Sequence, residues 1–351
     1  MKKFIQIFAI LAGIAIMLNT QACKKDDPDN DIDDGSAQLY QERLKIGREL
    51  LEVQADNVDE ILPFYSDSIE YHDPIVDISG IQDMTSFLNN LILVASPNLV
   101  TIVHDETLVN DIYSATWTMS GDFLDNPYQA KGISIFKFVP NSTQVYYQRD
   151  YYSEGDIMTT IPGMDQAIWG FRTFYRCAVD PTFDCPFVSS APGTESKQLR
   201  SKDQMNGDQL TVGRQLVEIN AGNWTEVIPY FASNYEYHDP IVNIYTPDTM
   251  AIFLGRLFEG SSELYTIVED ETVANDIYMA TWTMSGEFNG ASFNAPGMSI
   301  VKFVEGTTQT YYSRDYYTEG DIMLGIPELA EVVLGFRHYY RSAVDPNYGG
   351  N

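Results

Sequence analysis

The stretch "RDYYSEGDIM" at residues 149–158 returns as "RDYYTEGDIM" at 314–323, with a single difference between the two copies. The copies lie 165 residues apart. This spacing is far longer than the unit of a solenoid and is typical of a duplicated domain. The stretch therefore predicts one fold built twice, with the same residues needed in each copy for structure, for a site, or for both.

Other shared stretches extend the duplication over most of the chain. "EYHDPIV" occurs at 70–76 and again at 236–242. Between the copies, the residues are rich in Pro, Ser, Gly and charge, which is typical of a linker. The sequence divides into a first domain at 38–181, a linker at 182–208 and a second domain at 209–351.

Within each copy, helical periodicity comes first and long alternating strands follow. In the first copy, four runs with strand character lie between residues 99 and 152, and a final amphipathic helix is predicted from about Gly155 to Arg176. Helices followed by a meander of strands predict an α+β fold. We expect two tandem domains, each a strongly curved antiparallel sheet wrapped around N-terminal helices.

The charge of the chain excludes one class of partner. Of its 351 residues, 21 are Lys or Arg and 50 are Asp or Glu, for a formal net charge of −29. Such a surface repels phosphate backbones, so nucleic acid is not expected as a partner.

The first residues are typical of an exported lipoprotein. A basic start is followed by a short apolar run up to Leu18, which predicts a signal peptide at 1–22. Ala22-Cys23 resembles a bacterial lipobox, in which the cysteine is lipidated, and the acidic residues 23–37 are predicted to form a tether. This start resembles the surface-export signal of Bacteroidetes lipoproteins. It implies a protein anchored in the outer membrane by lipid only, at the cell surface.

The motifs "FYSDSIEYHDP" and "RDYY…GDIMTTIPG" resemble the SnoaL-like branch of the nuclear transport factor 2-like superfamily over residues 44–178 and 210–343. The resemblance implies two cone-shaped domains, each around a mainly apolar cavity. A cavity of several hundred cubic ångströms with an inward Asp would favour ligand binding or catalysis over a structural module. Its members include polyketide cyclases, ketosteroid isomerases, epoxide hydrolases and non-catalytic binding proteins. Where the family typically has histidine before Arg-Asp-Tyr, this chain has Gln148 and Ser313.

Asp150 and Asp315 are the candidate catalytic residues. Strand alternation puts Asp150 on one face with Gln148 and Tyr152, and Arg149 on the other. If Asp150 points inward, burial should raise its pKa and make it a usable general acid or base. The alternative is a structural aspartate that caps a turn or pairs with an arginine.

Eight further residues are candidates for ligand binding. Tyr71 and Asp73 share a strand face in "YHDP", although Asp-Pro after a strand is also ordinary turn chemistry. Trp117 lies on a strand and could line a pocket or fill the core. The full set of candidates is Tyr71, Asp73, Trp117, Tyr152, Tyr237, Asp239, Trp282 and Tyr317.

These observations predict a surface lipoprotein that binds a small hydrophobic or aromatic molecule in cone-shaped pockets. The alternatives are an acid–base enzyme of the isomerase, cyclase or hydrolase type using Asp150 and Asp315, and a structural interaction module without catalysis. No metal or cofactor motif is present. The two domains are expected to pair as an intramolecular pseudo-dimer, and Cys177 and Cys185 to form a disulfide, which an extracytoplasmic location permits.

Overall fold

The computed structural model describes residues 34–180, 182–183, 202–261, 263–288 and 290–348. The predicted signal peptide, Cys23 and Cys185 lie outside these residues. The first repeat forms five helices, two of them a single turn long, and six strands. These are α1 (Asp34–Leu51), α2 (Val58–Ile61), β1 (Tyr65–His72), β2 (Asp77–Ser79), α3 (Ile81–Asn89), β3 (Val100–Val109), β4 (Ile112–Phe123), β5 (Asn126–Phe138), β6 (Val145–Tyr152), α4 (Glu154–Met158) and α5 (Asp165–Val179).

The second repeat has the same order of elements. These are α6 (Lys202–Val217), α7 (Trp224–Val227), β7 (Phe231–His238), β8 (Asn243–Ile244), α8 (Pro247–Gly260), β9 (Tyr265–Ala274), β10 (Ile277–Phe288), β11 (Ala291–Phe303), β12 (Thr310–Tyr317), α9 (Glu319–Met323) and α10 (Pro327–Val344). Helix α6 begins inside the stretch that the composition assigned to the linker. Short 3₁₀ turns at Leu62–Phe64 and Ile228–Tyr230 precede β1 and β7, and a π-helical stretch (Asn90–Ala95) continues α3.

Each repeat is built on one six-stranded sheet, in the order β2-β1-β6-β5-β4-β3 and β8-β7-β12-β11-β10-β9. The meander β3–β6 is antiparallel, as predicted. Its hairpins are tight because residues such as Asn110 (φ 55°) and Asn275 (φ 52°) adopt the left-handed conformation that two-residue turns require.

The prediction of a purely antiparallel sheet was wrong for one pair in each repeat. Strand β1 pairs with β6 in parallel, and β7 pairs with β12 in parallel. A pairing between segments about 80 residues apart has no local signature, whereas a hairpin has its turn residues. The predicted helix from Gly155 to Arg176 is two helices, α4 and α5, separated by a turn that contains Gly163 (φ 91°).

The two faces of each sheet have different partners. The inner face, which we define as the one that carries Trp117 or Trp282, lies against helices and encloses a cavity. The outer face packs on the outer face of the other sheet, through apolar side chains of both repeats: Ile133, Ile135, Tyr151, Met279, Met298, Ile300 and Tyr316. At the rim of this contact, Lys137 pairs with Asp270 (3.2 Å) and Lys302 with Asp105 (2.7 Å).

The last helix of each repeat packs on the other repeat. Helix α5 packs against α8, and α10 packs against α3 and its π-helical continuation. The rings of Phe123 and Tyr340 stack with centroids 5.0 Å apart, and the Arg341 side chain donates to the Ile75 carbonyl. No helix among the described residues is long and apolar enough to cross a membrane.

Candidate functional site

Each repeat encloses one cavity, which we call the first pocket and the second pocket after their repeats. Their volumes are about 70 Å³ and about 100 Å³. Both are smaller than the several hundred cubic ångströms that would favour ligand binding or catalysis over a structural module, and smaller than an apolar cavity of about 150 Å³ that accommodates benzene.

The candidate residues from the sequence all line these pockets. The first pocket is lined by Tyr71, Asp73, Trp117, Asp150 and Tyr152, and the second by Tyr237, Asp239, Trp282, Asp315 and Tyr317. The remaining walls are mostly apolar, and none of the residues lining either pocket is Lys, Arg or His. The inward face of β6 is therefore the one that carries Asp150, which alternation alone left undecided.

Asp150 is held by three side-chain donors. The Ser134 hydroxyl donates to its Oδ1 at 2.6 Å, the Tyr71 hydroxyl lies 3.1 Å from its Oδ2, and Gln148 Nε2 lies 3.2 Å from Oδ1. Burial raises the pKa of Asp150, and these three donors oppose the rise because they stabilise the charged form. Arg149 does not pair with Asp150; its guanidinium lies over the Tyr151 ring on the outer face.

Trp117 fixes the orientation of Ser134. The indole Nε1 donates to the Ser134 hydroxyl at 2.8 Å, so the hydroxyl proton is free to point to Asp150. The indole lies flat against Gly132, where a β-carbon would collide with its ring. Glycine at this position allows the Trp117 indole to reach Ser134. This explains the glycine in the motif "GIS" at residues 132–134 of β5.

Asp73 has both of the roles that the sequence allowed. Its Oδ1 accepts hydrogen bonds from the backbone N–H groups of Ile75 (2.6 Å) and Val76 (2.7 Å), which is turn chemistry. Its Oδ2 faces the pocket, 3.3 Å from the Tyr71 hydroxyl and 3.2 Å from that of Tyr152. Burial raises the pKa of Asp73 to about 6, although the two backbone donors lower it.

The hydroxyl of Tyr71 lies between the two carboxyl groups, 3.3 Å from Asp73 and 3.1 Å from Asp150. A phenol has one proton to donate. It can donate this proton to one carboxyl or share it between the two. Burial raises the pKa of both carboxyls, and the charge of Asp150 raises the pKa of Asp73 further, so ionisation of one group opposes ionisation of the other.

The second pocket repeats this arrangement. The Ser299 hydroxyl accepts from Trp282 Nε1 at 2.8 Å and donates to Asp315 at 2.6 Å. The Tyr237 hydroxyl lies 2.8 Å from Asp315 and 3.3 Å from Asp239. Burial raises the pKa of Asp315, and it raises the pKa of Asp239 to about 7.

Each pocket is completed by a tyrosine from the other repeat, which the sequence did not predict. Tyr340 of α10 lines the first pocket, where its hydroxyl bonds to that of Tyr152. Tyr175 of α5 lines the second pocket. The recurrence of "FRTFYR" as "FRHYYR" was a signal that these positions matter, but nothing in it says which pocket they enter.

A reciprocal set of ion pairs holds the exchanged helices. Glu319 is fully buried, accepts from Arg172 Nε at 2.7 Å and also binds the Ser153 hydroxyl. Glu154 is fully buried and accepts from Arg337 Nη2 at 2.6 Å, and burial raises its pKa to about 7 although Arg337 opposes the rise.

The repeated "EGD" motif follows from this packing. A β-carbon at Gly155 would collide with the Glu319 carboxylate, and one at Gly320 with that of Glu154. Asp156 contacts Arg172 at 2.8 Å within its own repeat. The same relation holds for Asp321 and Arg337, at 2.7 Å.

The remaining sequence predictions concern metals and cysteines. Among the described residues, no group of three or more His, Cys, Asp or Glu side chains is placed to hold a metal ion. Cys177 is disulfide-bonded. Its expected partner Cys185 lies outside the described residues.

Residues 212–308 match the model of a family described as SnoaL-like domain. Solved structures with a similar fold include an epoxide hydrolase of M. tuberculosis described as LEH-like (13% identity, TM-score 0.32, covering 37% of this chain and 98% of that one). Another is a protein of ketosteroid isomerase-like fold from Catenulispora acidiphila in complex with trimethylamine (14% identity, TM-score 0.30, covering 33% and 90%).

A third is an NTF2-like protein of unknown function from Cytophaga hutchinsonii (12% identity, TM-score 0.28, covering 32% of this chain and 98% of that one). No match was found among curated proteins. The second repeat therefore contains a match to a SnoaL-like domain, and the first repeat has the same order of strands as the second.

Proposed function

We propose that the protein binds a small, mainly apolar molecule in each of its two pockets. The observation that carries this proposal is the composition of the pocket walls: apolar and aromatic side chains, with two carboxyl groups converging at one end. Ligand sites of proteins combine apolar walls with a few polar groups that fix orientation. Asp73 also holds the turn that follows β1, but Asp150 accepts no backbone hydrogen bond of a turn among the described contacts, and burying its carboxyl costs free energy.

The chemistry of the pockets restricts the ligand. The polar end of the first pocket carries Asp73 and Asp150, and no basic side chain lines the cavity. A carboxylate or phosphate ligand would meet like charges there. The ligand is therefore neutral or cationic at that end. The volume of about 70–100 Å³ allows only a few non-hydrogen atoms, unless the exchanged helices move outward.

The pockets contain their own reporters for a binding test. The chain has four tryptophans, of which Trp117 and Trp282 line the pockets. We expect butanol to shift the ¹⁹F resonances of both residues in a 5-fluorotryptophan-labelled chain, and butyrate to shift neither. Saturable binding at 100 times the dissociation constant would stabilise the fold by about 2.7 kcal/mol. If the resonances of both residues stay unchanged with every neutral probe, the proposal is wrong and the protein is a structural module without catalysis.

A second candidate function is acid–base catalysis of the isomerase, cyclase or hydrolase type. It is favoured by the pKa values of Asp73 and Asp239, raised to about 6 and about 7, next to Asp150 and Asp315. A carboxyl that titrates near the working pH is suited to proton transfer. Once a substrate is known, Asp150→Asn should lower turnover by about 10²–10⁴ in the first pocket. Unchanged turnover would exclude Asp150 as the base.

We further propose that the protein is exported and anchored to the outer membrane through a lipid on Cys23, at the cell surface. The support is the sequence of residues 1–37. Mass spectrometry of the membrane fraction should find a chain that begins at an acylated Cys23. An intact start at Met1 with an unmodified Cys23 would contradict this proposal.

The two domains are proposed to act as an intramolecular pseudo-dimer. The support is the apolar contact between the outer sheet faces together with the exchange of α5 and α10. Small-angle scattering of the purified chain should give a single compact particle. Two lobes that tumble independently would contradict the pseudo-dimer without affecting the ligand chemistry proposed for either pocket.

A further inference from the structure

The two pockets differ at one corner of their polar ends. In the first pocket, the Tyr65 hydroxyl donates to Gln148 Oε1 at 2.8 Å, and Gln148 Nε2 lies 3.2 and 3.4 Å from the two oxygens of Asp150. At the equivalent positions, the second repeat has Phe231 and Ser313. The phenol and the amide are thus both replaced, and neither replacement lines the second pocket.

This difference leaves Asp315 with fewer donors than Asp150. Among the described residues, the side chains that donate to Asp315 are Ser299 (2.6 Å) and Tyr237 (2.8 Å). A carboxylate accepts about four hydrogen bonds. The Tyr235 ring stacks on Phe231 with centroids 4.2 Å apart.

The second pocket is also the larger one, at about 100 Å³ against about 70 Å³. As in the first pocket, where Trp117 and Tyr152 are paired, its walls include two aromatic rings, those of Trp282 and Tyr317, whose centroids lie 6.2 Å apart. Aromatic faces attract cations, most strongly where water is excluded. The closest fixed cation to Asp315, Arg314, lies on the opposite strand face, where its guanidinium is over Tyr316.

We propose that the second pocket binds a small primary ammonium ligand, whose N–H groups donate to Asp315 in the way that Gln148 donates to Asp150. The first pocket, whose carboxylate already has this amide donor, takes a neutral ligand. Tyr65 and Gln148 are thus the residues that set the specificity of the first pocket, and Phe231 and Ser313 those of the second. This assignment rests on the function proposed above and adds the ligand class of each pocket.

The test compares butylammonium with butanol, which has the same skeleton without the charge. The full chain, labelled with 5-fluorotryptophan, is titrated at pH 8, above the pKa of about 7 of Asp239. We expect butylammonium to shift the ¹⁹F resonance of Trp282. It should bind in the second pocket about tenfold or more tightly than butanol, because a hydrogen bond to a charged group is stronger. Butanol is expected to bind better than butylammonium at Trp117.

Exchanged variants provide the matched control. Ser313→Gln with Phe231→Tyr should remove the preference for butylammonium at Trp282, and Gln148→Ser with Tyr65→Phe should create it at Trp117. Equal affinity of both probes at Trp282 of the unmodified chain would overturn the inference, while the proposed function would stand. If neither probe shifts Trp117 or Trp282, both this inference and the proposed function are wrong. The unmodified chain decides this, so a variant that fails to fold does not affect the result.

Discussion

The two faces of strand β6 use neighbouring residues of one motif for different purposes. On the inner face, Asp150 and Tyr152 close the polar end of the first pocket. On the outer face, Arg149 and Tyr151 lie in the contact between the two sheets. Of the residues that follow, Glu154 contacts Arg337 of the other repeat and Asp156 contacts Arg172 of its own.

The comparison teaches why the motif is duplicated almost unchanged. The side chains of one strand face build a site, and those of the other build the contact between the repeats. A substitution on the inner face is expected to affect the pocket and not the contact between the repeats, and a substitution on the outer face is expected to do the reverse. The following tests compare the contact between the repeats with the pockets.

The largest effect is expected from breaking a buried ion pair between the repeats. Glu319→Gln removes one of the two acidic partners of the buried Arg172 and leaves Asp156 as the other, and removal of one partner from a buried ion pair costs up to about 3–5 kcal/mol. Urea denaturation of the full chain measures the change. Glu328→Gln, at an exposed position of α10, is the matched control and should change the free energy of unfolding by about 0.5 kcal/mol or less. A similar small loss for Glu319→Gln would mean that this pair does not hold the exchanged helix.

The inner face should instead give the stability of the protein its pH dependence. Burial raises the pKa of Asp73 to about 6 and that of Asp239 to about 7, so the folded chain holds these protons more tightly than the unfolded chain does. The cost of ionising them is absent below about pH 4 and complete above about pH 7. The free energy of unfolding should therefore fall between these limits, by on the order of 3 kcal/mol for Asp73 and 4 kcal/mol for Asp239.

The double variant Asp73→Asn with Asp239→Asn provides the comparison for this pH profile. It lacks both titrating carboxyls, so its stability should vary less over the same range. Some slope will remain because burial also raises the pKa of Glu154. A double variant with the same pH profile as the unmodified chain would show that these two carboxyls do not titrate as their burial implies.

A smaller effect separates two adjacent tyrosines. The hydroxyl of Tyr152 donates to Asp73, which lowers the pKa of that carboxyl. Tyr152→Phe should therefore raise the pKa of Asp73 further above 6, as measured by ¹³C NMR of the labelled carboxyl carbon. Tyr151→Phe, one residue earlier on the outer face, should leave this pKa unchanged. Equal shifts in the two variants would contradict the assignment of the strand faces.

Much of the fold could be predicted from the sequence because its signals are local. Alternation placed Asp150 and Tyr152 on one strand face, and the four consecutive runs with strand character predicted the meander. The aspartate of "YHDP" could be recognised as a turn residue from Asp-Pro alone. Its second role could not, because it depends on Tyr152, which follows it by 79 positions.

The exchange of the last helices could not be predicted, for a physical reason. The amphipathic pattern of α5 says which side is buried but not against which repeat. Both repeats offer similar surfaces, so local preference does not choose between them. The choice depends on pairs that are distant in the chain, such as Glu154 with Arg337. The acidic and basic residues of these pairs lie in the recurring motifs "EGD" and "FR". The sequence does not show, however, that a glutamate of one repeat pairs with an arginine of the other.

The exchange of tyrosines is tested most directly at Trp117. Tyr340 belongs to the second repeat, yet it bonds to Tyr152, whose ring lies 6.1 Å from that of Trp117 in the first pocket. In the 5-fluorotryptophan-labelled chain, Tyr340→Phe should shift the resonance of Trp117 and leave that of Trp282 in place. A shift of Trp282 with an unchanged Trp117 would mean that each repeat closes its own pocket, and would contradict the exchange.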